Sequence, residues 1–552
     1  MKGTFNSGGA RLKVSFSEPL TGLAVVTALV LAFGPTLPAT ELNEQSRNQS
    51  QQFAIGNQQS AINNLQSSII NLQSSIKSAR PGDTLVIPSG RYTGNLLINK
   101  RLTLIGENKP VVRGEGNGSV ITITADSCVV KGLVVEHCGS MLVDEDAGIL
   151  IKSNHNLVEA IELRDILFGI YLLHAEDNLV INNSVVGGRE LGFGERGSGI
   201  HIWNSQRNRF VGNIITDVRD GFYIQNANHT WIENNEAFNV RYGLHYMYAD
   251  SNVFLNNRFY DNVAGAAIMY SRGIVMRNNV FAHNRGFASF GILFQDCHGL
   301  TADSNVITDN VVGMFFEAST DNQFRNNVVA QNDVALQMFQ NSINNTFSEN
   351  NFVDNLSPLA IVGKRTESHW NVNGRGNYWS SYDGYDLDGD GIGDIPMKIQ
   401  NVFQYLEGQN ANVRLYLYSP ASQALAVAAK AFPIININEE ADEHPLMRPL
   451  DFHSMPAVQM MAHLNESSTT NKQNNTHAWI AFPLIGVVAI GFIYRRLNRK
   501  TRIRNVILSP AFFWRGEESM TAVVQREVDS SLRPDLRSNR DSVQNDTSKG
   551  IL

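Results

Sequence analysis

The chain has 552 residues, a formal net charge of −7 and 18% charged residues, which gives no general attraction to nucleic acid, and no basic stripe interleaved with aromatics marks its repeats. That length exceeds one ordinary globular core, whereas a solenoid grows linearly and escapes the limit. Three scattered cysteines, Cys128, Cys138 and Cys297, have no CxxC spacing, which argues against a disulfide framework or structural zinc site and predicts buried thiols.

Arg11 and Lys13 precede an apolar run from Leu20 to Phe33, which ends in Gly34-Pro35 and small residues near Ala39. Residues 1–40 therefore read as a secretory signal, with an uncleaved N-terminal anchor as the alternative. Residues 41–80 read as a linker and cap. The stretch 41–59 is rich in Asn, Gln and Ser, and Ile62, Leu65, Ile69, Leu72 and Ile76 then recur at helical spacing. A short amphipathic helix there would cover the open apolar end that every solenoid must hide.

Coils are expected from Gly82-Asp83-Thr84 to about Trp379, with a period near 22 residues. An asparagine recurs at Asn213, Asn235, Asn257 and Asn279, slips at Asn305, and returns at Asn327 and Asn351. A second column, small residue then apolar, keeps the same phase: Gly221-Phe222, Gly243-Leu244, Gly265-Ala266, Gly291-Ile292, Gly313-Met314 and Ala335-Leu336. Runs this short are strands, and asparagines at equivalent turns can stack into a hydrogen-bonded ladder while tolerating left-handed backbone angles. The expected fold is all-β, a right-handed parallel β-helix of the pectin-lyase-like type over residues 81–380. Excess length places insertions at 187–197 and 286–290.

Residues 381–450 read as a C-terminal extension. Its acidic loop carries Asp386, Asp388, Asp390 and Asp394 between glycines, a carboxylate spacing that suits a hard cation such as calcium, with a solvated acidic turn as the alternative. Residues 421–432 predict a helix. A polar linker (451–477) leads to the uncharged run Trp479–Tyr494, read as a transmembrane helix over 478–495, slightly short of the typical span of about 17–25 residues. Arg495, Arg496, Arg499, Lys500, Arg502 and Arg504 follow, so the tail 496–552 is expected in the cytoplasm and the β-helix on the outer side.

Strand alternation lines up the outward side chains coil by coil. Two places after the small residue stand His201, Tyr223, His245 and Ala267. Four places after it stand Trp203, Gln225, Met247, Met269, Gln295 and Glu317. Coils stack about 4.8 Å apart, which makes Met247 and Met269 exposed neighbours with His245 beside them. Thioether and imidazole together suit a soft ion, Cu(I) above all, and His201 is a further candidate ligand. The structural alternative is a docking strip or core filling by the same side chains.

Several stretches closely resemble the NosD family, periplasmic β-helix proteins required for maturation of nitrous oxide reductase. They are Gly243-Leu-His-Tyr-Met-Tyr248, Ile268-Met-Tyr-Ser-Arg272, Gly376-Asn-Tyr-Trp379, Gly384-Tyr-Asp386, Asp390-Gly-Ile-Gly-Asp394 and His444-Pro-Leu-Met447. The resemblance covers roughly 79–450. It implies a periplasmic accessory to a copper-transporting ABC system, working with an ABC ATPase and a permease, while the cytoplasmic-membrane anchor expected from 478–495 lies beyond the part that the resemblance covers. Copper would be passed on rather than retained, between a lipoprotein chaperone and the reductase, and a sulfur species is the competing cargo. Candidate partner contacts are Trp203, Tyr223, Tyr248, His444 and Met447.

Parallel β-helices also host polysaccharide lyases and uronate epimerases. Those need clustered carboxylates, or carboxylates with a basic residue, on adjacent coils, whereas the candidate column here holds Glu317 alone and no catalytic residue is assigned. Truncation after Thr476 is expected to release the β-helix as a soluble protein. Retention in the membrane fraction would mean that the N-terminal segment holds it.

Overall fold

The computed structural model describes residues 72–462, apart from 189, 287–288, 364 and most of 400–439. The signal, the membrane run 478–495, the basic tail and nearly all of the helix expected over 421–432 lie outside the described residues. Among those described, no helix is long and apolar enough to cross a membrane.

Each coil contributes one strand to each of three parallel sheets. The first sheet runs in twelve strands from Thr84–Ile87 to Thr346–Ser348 and the third in twelve from Leu96–Ile98 to Ser357–Val362. The second has thirteen, from Arg91–Thr93 to Tyr378–Trp379. The chain is thus the parallel β-helix that its period predicts. Most strands are only three residues long, because a coil of about 22 residues must also turn three corners.

The corner between the first and second sheets carries the asparagine ladder. Asn235 donates from its backbone N (2.9 Å) and its Nδ2 (3.1 Å) to Oδ1 of Asn257, which does the same to Asn279, always towards the next coil. The column runs from Asn183 through Asn213 and Asn305 to Asn327, Asn350 and Asn377. One position differs from the sequence expectation: Asn350, not Asn351, occupies the ladder. Two jobs are divided between successive residues here. Asn234, Asn256, Asn278 and Asn326 take the left-handed backbone conformation, and the residue after each makes the ladder. In the coil of Asn350, Glu349 takes the left-handed place (φ 57°), so the Asn-Asn doublet is offset by one and Asn351 falls into a strand. A second ladder, Asn262-Asn284-Asn310-Asn332-Asn355, lines the corner before the third sheet.

Inside, like residues stack on like. Phe259 lies 5.4 Å from Phe281, Phe324 lies 5.0 Å from Phe347, and Phe347 lies 4.9 Å from Trp370. Each buried phenylalanine contributes about 1.5–3 kcal/mol. Cys128, Cys138 and Cys297 are free and buried, as expected. The glycines that open the third-sheet strands are there for want of space: a Cβ on Gly243 would lie 2.6 Å from the carbonyl oxygen of Gly265.

Both ends are closed. A helix at 72–78 buries Leu72 and Ile76, and its Gln73 pairs with both backbone groups of Leu97 on the edge strand. The other members of the predicted apolar stripe, Ile62, Leu65 and Ile69, lie outside the described residues. At the far end, Trp370 and Trp379 cover the core, and their indole N–H groups donate to the buried carboxylates Glu440 and Asp442. A helix at 456–462, within the stretch read as a polar linker, rests on the outer face of the second sheet. Pro456 opens it, in the position where a missing N–H costs nothing, and Ala457 is buried among Val280, Ala282, Val306 and Val328.

Replacing Asn257 with Leu strands the backbone N–H of Asn235, takes one acceptor from its Nδ2 and removes the bond from Nδ2 of Asn257 to the carbonyl of Ile232 (2.8 Å). A loss of about 1–3 kcal/mol is expected, read as a lower denaturant midpoint at unchanged β-sheet content. An unchanged midpoint would mean that the ladder adds nothing to stability.

Candidate functional site

The third sheet presents the candidate residues on its outer face. Phe222, Ile224, Leu244, Tyr246 and Ile268 alternate inwards into the core, which turns the intervening positions out. Register puts His201, Tyr223, His245, Ala267, Leu293 and Phe315 in one line. Trp203, Gln225, Met247, Met269, Gln295 and Glu317 form the next. Met247 and Met269 are direct partners on neighbouring strands, Tyr242–Met247 and Ala264–Arg272.

The expected exposure is not found. Met269 is fully buried and Met247 half-buried. Ala267, Met269, Leu293, Val312 and Phe315 form a second apolar cluster outside the solenoid, against which Met247, Tyr270 and Phe290 pack. Apolar side chains from four successive coils meet above the sheet, so the Met269 thioether is shielded from solvent and that of Met247 partly so. Beyond Met269 stands Gln295, whose Oε1 is buried without a hydrogen-bond partner among the described residues, and then Glu317, whose carboxyl burial pushes upward.

Both histidines are buried, His201 to 4% exposure and His245 to 3%. His201 lies between Tyr171 (4.4 Å between ring centres) and Tyr223 (4.5 Å), with the edge of Phe168 at 5.3 Å. Neither of its ring nitrogens has a hydrogen-bond partner among the described residues. Burial, and then the charge of Arg219, pushes its pKa down to about 3, so the ring is neutral. His245 differs. Its Nδ1 lies 3.2 Å from Oδ2 of Asp220, while its Nε2 is buried and has no partner among the described residues. Asp220 is fully buried and is gripped by Arg241 at both oxygens (2.9 and 2.8 Å), with Arg219 at 3.3 Å. Burial alone would raise its carboxyl, but Arg241 and His245 override that and hold it well below the usual range.

Asp220, Arg219 and Arg241 were not singled out from the sequence. The signal was present: Arg219-Asp220-Gly221 and Arg241-Tyr242-Gly243 stand one coil apart, so two arginines flank a single carboxylate just before the glycine column.

The remaining candidates are dispersed. The ring of Trp203 lies 6.2 Å from His201, Tyr223 donates to Gln225 (2.7 Å), and Tyr248 is exposed and stacked on Tyr270 at 4.9 Å. His201 and His245 are separated by the intervening strand of Tyr223 and share no site. Asp386, Asp388 and Asp390 bring carboxylate oxygens within 4.8 Å of one another, largely exposed and already accepting from the loop's own N–H groups. Asp394 stands apart from that group and accepts from the N–H of Leu387. His444 and Met447 flank the same loop, where the N–H of Met447 donates to Gly391 and the N–H of Gly393 donates to Pro445.

Residues 181–384, which include both outer-face columns, match the family model described as periplasmic copper-binding protein (NosD). A probable ABC transporter binding protein NosD of Pseudomonas aeruginosa is 36% identical over 389 residues, covering 68% of this chain and 89% of that protein. The chain belongs to the NosD family. A second NosD protein, from Stutzerimonas stutzeri, is 35% identical over 379 residues, or 66% of this chain and 86% of its own length. Among solved structures, a mannuronan C-5 epimerase A-module of Azotobacter vinelandii covers 55% of this chain and 94% of its own at 13% identity and a TM-score of 0.43. A likeness at that level carries no argument about chemistry. Within this NosD-family chain, the family match contains His201, His245, Met247 and Met269, whereas the Asp390 and His444 stretches lie beyond its end.

His201 yields a pH test. Its folded pKa is below the ordinary value of 6.5, so its contribution is complete above about pH 6.5 and is lost as pH falls towards 3. At about 1.4 kcal/mol per pH unit, lowering the pH to 4 costs the apoprotein up to about 3 kcal/mol. His201→Phe is expected to flatten the fall in thermal midpoint between pH 7 and 4. An equally steep fall would mean that other groups carry the acid sensitivity.

Proposed function

We propose that this chain is a periplasmic accessory of a copper-handling ABC transport system. It receives Cu(I) on the outer face of the third sheet and passes it on during assembly of the copper centre of nitrous oxide reductase. The observation that carries this reading is the placement of His245, whose buried Nε2 has no hydrogen-bond partner among the described residues, on the same outer face as two thioethers from directly adjacent strands. A neutral imidazole and two methionine sulfurs are soft, uncharged donors, which suit Cu(I) and exclude the hard cations. Neutral donors also hold an ion less permanently than a thiolate cage, as a relay needs. His201, two coils before Met247, is a second neutral donor in the same face.

The family model's description as copper-binding and the relatives' names as ABC transporter binding proteins support the reading. The partners in this proposal are an ABC ATPase, its permease, a copper chaperone lipoprotein and the reductase, with the apolar run 478–495 holding the β-helix at the membrane. A sugar-cleaving or epimerising site has less support. The outer columns between Trp203 and Glu317 offer one carboxylate, Glu317, beside Gln295, where that chemistry needs a cluster.

Changing Met247 and Met269 together to leucine keeps shape and apolarity but removes both sulfurs. The variant is expected to fold normally, to bind Cu(I) more weakly in anaerobic titration against a competing chelator, and to leave the reductase short of copper. Equal Cu(I) affinity in parent and variant would remove the ligand role and leave the strip as a docking or packing surface.

A further inference from the structure

A carboxylate that belongs to no ligand set is buried beside His245. Asp220 sits at the start of the strand Asp220–Gln225, fully enclosed, and holds four hydrogen-bond donors: Nε and Nη2 of Arg241, Nε of Arg219 and Nδ1 of His245. An ionised carboxylate can only accept. Its contact with Nδ1 therefore requires Nδ1 to carry a proton. Nη2 of Arg241 also approaches Nδ1, at 3.5 Å, but the same nitrogen is committed to Asp220 at 2.8 Å. The opposite tautomer would point an N–H from Nε2 into a buried place with no acceptor among the described residues.

We propose that Asp220 is a positioning residue that fixes His245 as the Nδ1–H tautomer and so keeps the buried Nε2 free as a lone-pair donor. Arg241 and Arg219 hold the carboxylate ionised and in place. Tyr223 and Tyr242 confine the ring at 4.9 and 5.2 Å, so rotation offers no escape from the pairing. The assignment rests on the copper reading for its purpose, but not for its geometry. A ligating histidine whose other nitrogen is held by a carboxylate is both oriented and made a better donor, and loss of such a partner typically costs about 10–100-fold in metal affinity.

The test uses the full-length protein with 15N-labelled histidine, the His245 signals being identified by their disappearance in His245→Gln. In the parent without copper, Nδ1 is expected to carry the proton and Nε2 to be bare. In Asp220→Asn, whose amide can donate to Nδ1, the proton is expected to shift towards Nε2. Cu(I) affinity should then fall by about 10–100-fold, and the same substitution in the His245→Gln background should change affinity little. A protonated Nε2 in the parent overturns the proposal without recourse to any variant, as does an unchanged tautomer in folded Asp220→Asn. If the tautomer behaves as expected but His245→Gln binds Cu(I) as well as the parent, the positioning stands and the copper reading fails.

Discussion

The constraint on which everything else depends is coil-to-coil register. Parallel strands of three residues cannot hold a register by themselves, because few ladder bonds oppose a slip. Here the corners add side-chain amides that bond to the equivalent position of the next coil, as well as to nearby backbone carbonyls. Because the amides are buried, a slip would leave them unpaired, and that penalty accumulates along the column. The coils are thereby locked in one phase, which lets phenylalanines stack inside and chemically matched side chains line up outside.

The same constraint explains why additional chain appears where it does. The excess chain at 137–146, 187–199 and 283–289 falls between the second and third sheets and leaves the ladder corner intact. The second of these leads directly into the strand Ile200–Trp203, which carries His201. The turn at Leu142–Asp144 ends in Glu145, which accepts from Tyr171, whose ring lies against His201. A uniform scaffold thus acquires one elaborated side, where polar atoms can be buried without solvent.

Much of this could be read from the residues. The glycine column and the asparagine column, kept in one phase, revealed the coil period, the parallel stacking and the alignment of His245, Met247 and Met269. Three features escaped. The offset at Asn350 depends on which residue of a doublet takes the left-handed conformation, and Glu349 gives no compositional cue. Burial of Met269 arises from side chains of several coils meeting above the sheet, a contact that alternation within one strand does not encode. Asp220 lies just before the repeat's glycine, and it becomes meaningful only when arginines from two coils and a histidine from one of them converge on it.

The ladder also has a direction. Every asparagine in it donates from backbone and side chain to the oxygen of the following coil, so the column begins in an oxygen and ends in nitrogens that need a partner. That partner is Asp442, which accepts from both the backbone N and the Nδ2 of Asn377 at 2.7 and 3.2 Å. Another asparagine at that place would satisfy its neighbour and pass on the same demand. A carboxylate passes on none, since it has nothing to donate. The number of coils is therefore set by where an acceptor without a hydrogen closes the column, and a residue 65 positions beyond Asn377 in the chain acts as the terminator of a growing polymer.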